Sequence, residues 1–160
     1  PEYSRCDSGR GLLLIGTGGG NFKTADARES GIYIYGEQRA CAVSDFNQDG
    51  RMDLVVGQNS EATKLYLNKQ GTPGLRVKLN GTIQNPDAIG SIVTASNLTR
   101  EIQSGSGYWA HNSTRLVFSQ EKPIGDIHVT WPSGKRMSYS VPPNARSVQL
   151  NRDGTLQHTK

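Results

Sequence analysis

The stretch "AVSDFNQDGRMDLVVG", residues 42–57, decides how the rest of the chain is read. Its middle sets oxygen-bearing side chains at Asp45, Asn47, Asp49 and Asp53 around Gly50. Alternate positions along an extended turn point the same way, so Asp45, Asn47 and Asp49 offer oxygens on one side. Gly50 allows the backbone to reverse. The Arg51 carbonyl then adds an oxygen and Asp53 closes the ring. Calcium is a hard cation that takes six to eight oxygens, and a divalent charge removes the repulsion among carboxylates this close. The rival readings are an ordinary Asp/Asn/Gly turn and a Mg²⁺ site. Register favours calcium, because Mg²⁺ prefers to keep its waters.

The flanks say what kind of calcium loop this is. An EF-hand needs a bidentate Glu at the twelfth position, which here is Val56. It also needs flanking helices, whereas "ACAVS" and "LVVG" are β-type. The loop is therefore expected to join two strands of a hairpin.

Working outward, residues 11–22, "GLLLIGTGGGNF", read as an apolar strand entering a Gly-rich hairpin turn. "GIYIYGEQ" (31–38) alternates like a strand, and "TKLYLN" (63–68) follows as another. "KQGTPG" (69–74) is a linker by composition. Beyond it, strands are expected in "LRVKLN", "IGSIVTAS", "LTREIQ", "TRLVFS", "DIHVTW" and "ARSVQL", with "WPSGKRM" (131–137) a hairpin turn into "KRMSYSV". No stretch of about 12 residues keeps helical periodicity. The expected fold is all-β.

Composition agrees. Of 160 residues, 19 are Gly, three are Phe and 34% are apolar, which suits short strands and many turns. The net charge is +4, but the basic residues are scattered, with no Lys/Arg block or aromatic–basic interleaving. No nucleic-acid partner is expected. The longest apolar run is residues 12–15, far short of the ~20 residues of a membrane helix, so no membrane insertion is expected. The sequence opens at Pro1 with neither Met nor a signal-type stretch, and is read as a processed chain, an excised piece or an incomplete sequence.

Here the residues point to families. "AVSDFNQDGRMDLVVG" with "TKLYLN" resembles the FG-GAP/VCBS repeats of integrin-like β-propellers, and residues 9–38 look like the end of a preceding blade. "NPDAIGS", "SGSGYW" and "VTWPSGK", in that order, make the chain from Gly74 onward resemble the ASPIC/UnbV domain, which often follows such repeats in cartilage acidic protein-like and bacterial exported proteins. The resemblances imply two regions: residues 1–73, a partial β-propeller-like repeat with a calcium loop, and residues 74–160, a small β-sandwich. They imply Ca²⁺ on Asp45, Asn47, Asp49, Arg51 (carbonyl) and Asp53, and an extracellular, secreted or cell-surface location. The repeat region amounts to about one and a half blades, and a closed propeller needs at least four. Open edges invite pairing with another chain, and an unclosed head-to-tail contact builds a filament. The expected role is a non-catalytic module for adhesion or self-assembly, with protein partners: further copies or a larger exported protein.

Other classes fit less well. "GTGGG" has Asn21 where a G-x-G-x-x-G loop needs Gly, and no helix follows. "SGK" (133–135) lacks the upstream Gly of a P-loop. His111, His128 and His158 form no HxxxH or HExxH pair, and there is no GxSxG elbow. No enzyme is expected within these residues, although the chain could be the C-terminal tail of one. The alternative function is carbohydrate binding by the loop holding Tyr108, Trp109 and His111, where the two rings would stack on a sugar; against it stands the reading that those rings cover one end of the sandwich. Cys6 and Cys41 could form one disulfide, which in the loop-entropy model stabilises by roughly 3–4 kcal/mol, or remain thiols with Cys41 in a buried strand. Asn80, Asn97 and Asn112 head N-x-S/T sequons, relevant only in a eukaryotic secretory pathway.

Overall fold

A computed structural model describes residues 9–119 and 123–159. Two four-stranded sheets form a sandwich from the second half of the chain. In the first half lie a three-stranded meander and a separate hairpin.

The hairpin pairs β1 (Leu14–Gly18) with β2 (Asn21–Thr24), as the Gly-rich turn implies. Every residue of both strands is exposed, Leu14 and Ile15 included. A one-turn helix, α1 (Ala27–Ser30), follows. Asp26 caps it by accepting a hydrogen bond from Arg28 N–H at 2.7 Å, and Gly31 ends it in the left-handed region. A helix this short is invisible to periodicity, but its Asp and Gly caps are in the sequence.

The alternating "GIYIYGEQ" is not a strand over its first six residues. Residues 31–36 run without ladder partners, held by Ile34 N–H to Arg10 O at 3.1 Å and by burial of the Ile34 side chain. Alternation gives a strand only where a neighbour supplies the ladder, and the ladder begins one residue past Gly36. There β3 (Glu37–Ser44), β4 (Asp53–Asn59) and β5 (Lys64–Tyr66) make the antiparallel meander. The residue 45–53 loop is the β3–β4 turn, as expected.

The sandwich follows the period-2 pattern closely. In β6 (Leu75–Asn80), Leu75, Val77 and Leu79 are buried while Arg76, Lys78 and Asn80 face outward. One sheet orders β13 (Leu156–Thr159), β12 (Ser147–Asn151), β6 and β9 (Leu116–Phe118). The other orders β11 (Arg136–Ser140), β10 (Asp126–Thr130), β7 (Ile92–Ala95) and β8 (Leu98–Glu101). Strand β13 is missing from the sequence expectation because its alternation is weak: of its four residues only Leu156 is a large apolar side chain. The β6–β12 pair is parallel, so the chain crosses the sandwich between them.

The two inner faces share one core that includes Val77, Leu79, Phe118, Val93, Ile127, Val129, Trp131, Val148 and Leu150. Tyr139 also ties the sheets polar-to-polar, donating its hydroxyl to Asn151 O at 2.6 Å. At the β10–β11 turn, Trp131 N–H bonds Lys135 O at 2.9 Å and Gly134 has φ +81°, as "WPSGK" implies. No helix among the described residues is long and apolar enough to cross a membrane.

Candidate functional site

The acidic loop folds on its own side chains. Asn47 Oδ1 accepts from Asp49 N–H at 3.1 Å, and Asp49 Oδ1 accepts from Arg51 N–H at 2.9 Å, two successive Asx turns. Asp45 Oδ2 accepts from Gly50 N–H at 3.0 Å. Asp53 is buried and closes the base of the loop. Its oxygens accept from Phe46 N–H at 2.9 Å and Asn68 N–H at 2.8 Å, joining the loop, β4 and the end of β5.

Two arginines counter the carboxylates. Arg51 Nη1 lies 2.8 Å from Asp49 Oδ2, and its Nε donates to Gly71 O at 2.6 Å. Arg76, from β6 of the sandwich, places Nε 2.8 Å from Asp45 Oδ2 and Nη2 3.2 Å from Gln48 Oε1. The Asp45 and Arg76 side chains are 4% and 16% exposed, so this pair is far more buried than the Arg39–Glu37 pair on β3, at 56% and 47%. Partial burial pushes the Asp49 carboxyl up, but the Asn47 amide, the Arg51 backbone N–H and the Arg51 guanidinium outweigh it. Its pKa lies below the ordinary Asp value.

Backbone joins the loop to the sandwich as well. Gly50 sits at φ +82° and its carbonyl accepts from Gly74 N–H at 2.8 Å. A Cβ at Gly50 would lie 2.8 Å from Gly74 O, so glycine is required there by both conformation and approach. On the outer edge of β3, Val43 N–H donates to Asn112 Oδ1 at 2.9 Å and Val43 O accepts from Ser113 N–H at 3.0 Å. A cleft of about 800 Å³ opens along this seam, with Asp49 and Arg51 on one side and Arg76, Phe118 and Arg146 on the other.

The loop's fitness for a cation rests on one atom. Asp45 Oδ1 is buried with no hydrogen-bond partner. Among the described residues three neutral side-chain atoms share that condition, on Gln58, Ser91 and Trp131; Asp45 Oδ1 alone belongs to a carboxylate. Asn47, Asp49 and the Arg51 carbonyl lie on the same turn. Hard oxygen donors with a buried carboxylate oxygen to spare match the requirements of Ca²⁺. Among the described residues, however, no three His, Cys, Asp or Glu side chains are grouped as a metal cluster. The carboxylates are turned toward the arginines and backbone N–H groups.

The aromatic loop differs from expectation. Tyr108 and Trp109 do not cover the end of the sandwich: they are 68% and 88% exposed, with ring centroids 6.1 Å apart and planes at 40°. Trp109 is held at φ +51° in a tight turn closed between Gly107 and Ala110. His111, itself exposed, hydrogen-bonds Gln103 O through Nε2 at 3.1 Å. The "NPDAIG" turn is organised by Asn85, whose side chain brackets Ile89 N and O at 2.9 Å each.

Cys41 is exposed on β3 and not in a buried strand; Cys6 lies outside the described residues. Of the sequons, Asn97 is exposed in the β7–β8 turn. Asn80 is engaged with Asn151 at 2.7 Å and Asn112 with Val43.

Residues 81–157 match the family model described as ASPIC and UnbV. The match takes in most of the sandwich and none of the acidic loop. No curated protein matches the chain.

Proposed function

We propose that the chain is a non-catalytic, extracellular calcium-binding module for adhesion or self-assembly, with residues 45–53 as the calcium loop and the ASPIC/UnbV sandwich as its rigid support. The observation that carries this reading is the buried, unpartnered Asp45 Oδ1, on the same turn as Asn47, Asp49 and Arg51. A bound calcium ion supplies positive charge among these oxygens. The residues themselves hold the turn: Gly50 reverses it, Asp53 anchors its base, and Asn47 and Asp49 order their own backbone. Extracellular calcium is abundant enough for loops with dissociation constants of about 10⁻⁴–10⁻³ M. The exposed apolar hairpin, with Leu14 and Phe22 at 50% and 66%, supports assembly through the first half.

The test is a thermal melt with millimolar calcium and with chelator, run on wild type and Asp49→Ala. A Tm rise with calcium in the wild type and none in Asp49→Ala is expected. Equal calcium responses in the two proteins would reject the loop as the site. Light scattering under the same conditions tests assembly: calcium is expected to increase the native mass above a 17.4 kDa monomer.

A second reading, carbohydrate binding, is favoured by one observation: an 88%-exposed Trp109 in a left-handed conformation, an arrangement that stores strain to present a ring. A glycan array comparing wild type with Trp109→Ala separates the two, since calcium loading does not depend on that residue.

A further inference from the structure

We infer that Arg76 is a built-in competitor of the calcium ion for Asp45, so that loading the loop and holding it against the sandwich are linked equilibria. The inference rests on the calcium reading above and says how that site is regulated.

Asp45 is the loop's most buried carboxylate-bearing partner in an ion pair, and the pair is made across the seam, not within the loop. Two nitrogens of the Arg76 fork face the loop: Nε on Asp45 and Nη2 on Gln48. Arg51 is different, because its partner Asp49 is two residues away and both move with the same turn. A guanidinium 2.8 Å from Asp45 Oδ2 opposes any cation approaching Oδ1 of the same carboxylate. A cation on Asp45 therefore weakens the hold of Arg76, and Arg76 weakens the cation by an equal free energy. Gln48 is part of the same device. It sits at φ +63°, a left-handed conformation that turns the loop toward Arg76. With Arg76 released, the ties across the seam among the described residues include the Gly74 N–H to Gly50 O bond, the Val43 pairings with Asn112 and Ser113, and the Ser119 hydroxyl donating to Thr72 O at 2.8 Å. The device lets calcium trade a charged tether for a loaded loop while the backbone hydrogen bonds keep the halves in register.

The experiment is calcium calorimetry on wild type, Arg76→Gln and Arg76→Lys, with NMR of the Arg76 Nε–H in the wild type. Arg76→Gln is expected to bind calcium about tenfold more tightly, within the usual 5- to 150-fold span of coupled sites. Arg76→Lys, which keeps the charge but not the fork, should fall between. In wild type, the Arg76 Nε–H should exchange slowly without calcium and fast at saturation. Equal or weaker affinity in Arg76→Gln overturns the inference while leaving the calcium site standing. So does an Arg76 Nε–H unmoved by saturating calcium, a readout that needs no variant to fold. Failure of all three proteins to bind calcium overturns both the inference and the calcium reading.

Discussion

The two halves of the molecule hold together by different means. In the sandwich, apolar side chains of two sheets close on each other, and Val93, Ala95, Ile127 and Leu150 are wholly buried. In the described part of the first half, only Ile34 and Val56 are buried apolar residues, while Leu12, Leu14, Phe22, Tyr35 and Leu65 lie open. What orders the first half is polar: two Asx turns, the buried Asp53 between two backbone donors, and ion pairs around the acidic loop. The difference teaches that, with two buried apolar residues, the described part of the first half is ordered more by these polar ties than by apolar burial. It leans on the seam with the sandwich.

The largest effects should separate the halves. Leu150→Ala, at a fully buried position, is expected to lower global stability by about 2–5 kcal/mol in denaturant unfolding. Val56→Ala in the meander should lose only about 1–2 kcal/mol, near the value of the removed methyl groups. Equal losses would show that the meander has a core as consequential as the sandwich's. Next comes the seam. Gly50→Ala meets both a left-handed backbone and the Gly74 carbonyl, and should destabilise by about 1–3 kcal/mol. Hydrogen exchange should place the loss in β3, β4 and the loop, with the sandwich core unchanged; a loss spread evenly over both halves would break the comparison.

The smallest effect is in acid. In the β12–β13 turn, the Thr155 hydroxyl and backbone N–H bond Asp153 Oδ1 at 2.7 and 2.8 Å, and they hold the Asp153 pKa below the ordinary 3.8. A depressed carboxyl stabilises the fold above its unfolded pKa, and that contribution disappears as pH falls through the folded value. The wild-type Tm should thus drop more steeply below about pH 4 than that of Asp153→Asn, which has nothing there to titrate. Parallel curves would show that the turn gains nothing from the charge.

Much of this was legible in the sequence. Leu75, Val77 and Leu79 on one side of β6 and Ile127 and Val129 on one side of β10 announce a sandwich strand by strand, because the pleat has period two and one face must be dry. The acidic loop was legible as a β-hairpin turn because its residues bond to their own neighbours. "GIYIYG" misled because alternation describes a face, and a strand also needs a partner. Tyr108 and Trp109 misled because two aromatics in a row usually mean burial, and nothing local reveals that their turn points outward.

The sequence by itself determined the elements whose causes are local: strand alternation, the Gly-containing turns at Gly50 and Gly134, and the oxygen donors of the loop. Only the tertiary structure decided that Arg76 faces Asp45, that Asn112 caps Val43, and that Gly74 lies against Gly50. Each of those contacts joins residues far apart in the chain, and a charge or a backbone N–H carries no local mark of its partner. The partner is set by how the sandwich, once packed, presents β6 and the segment after Trp109 to the loop.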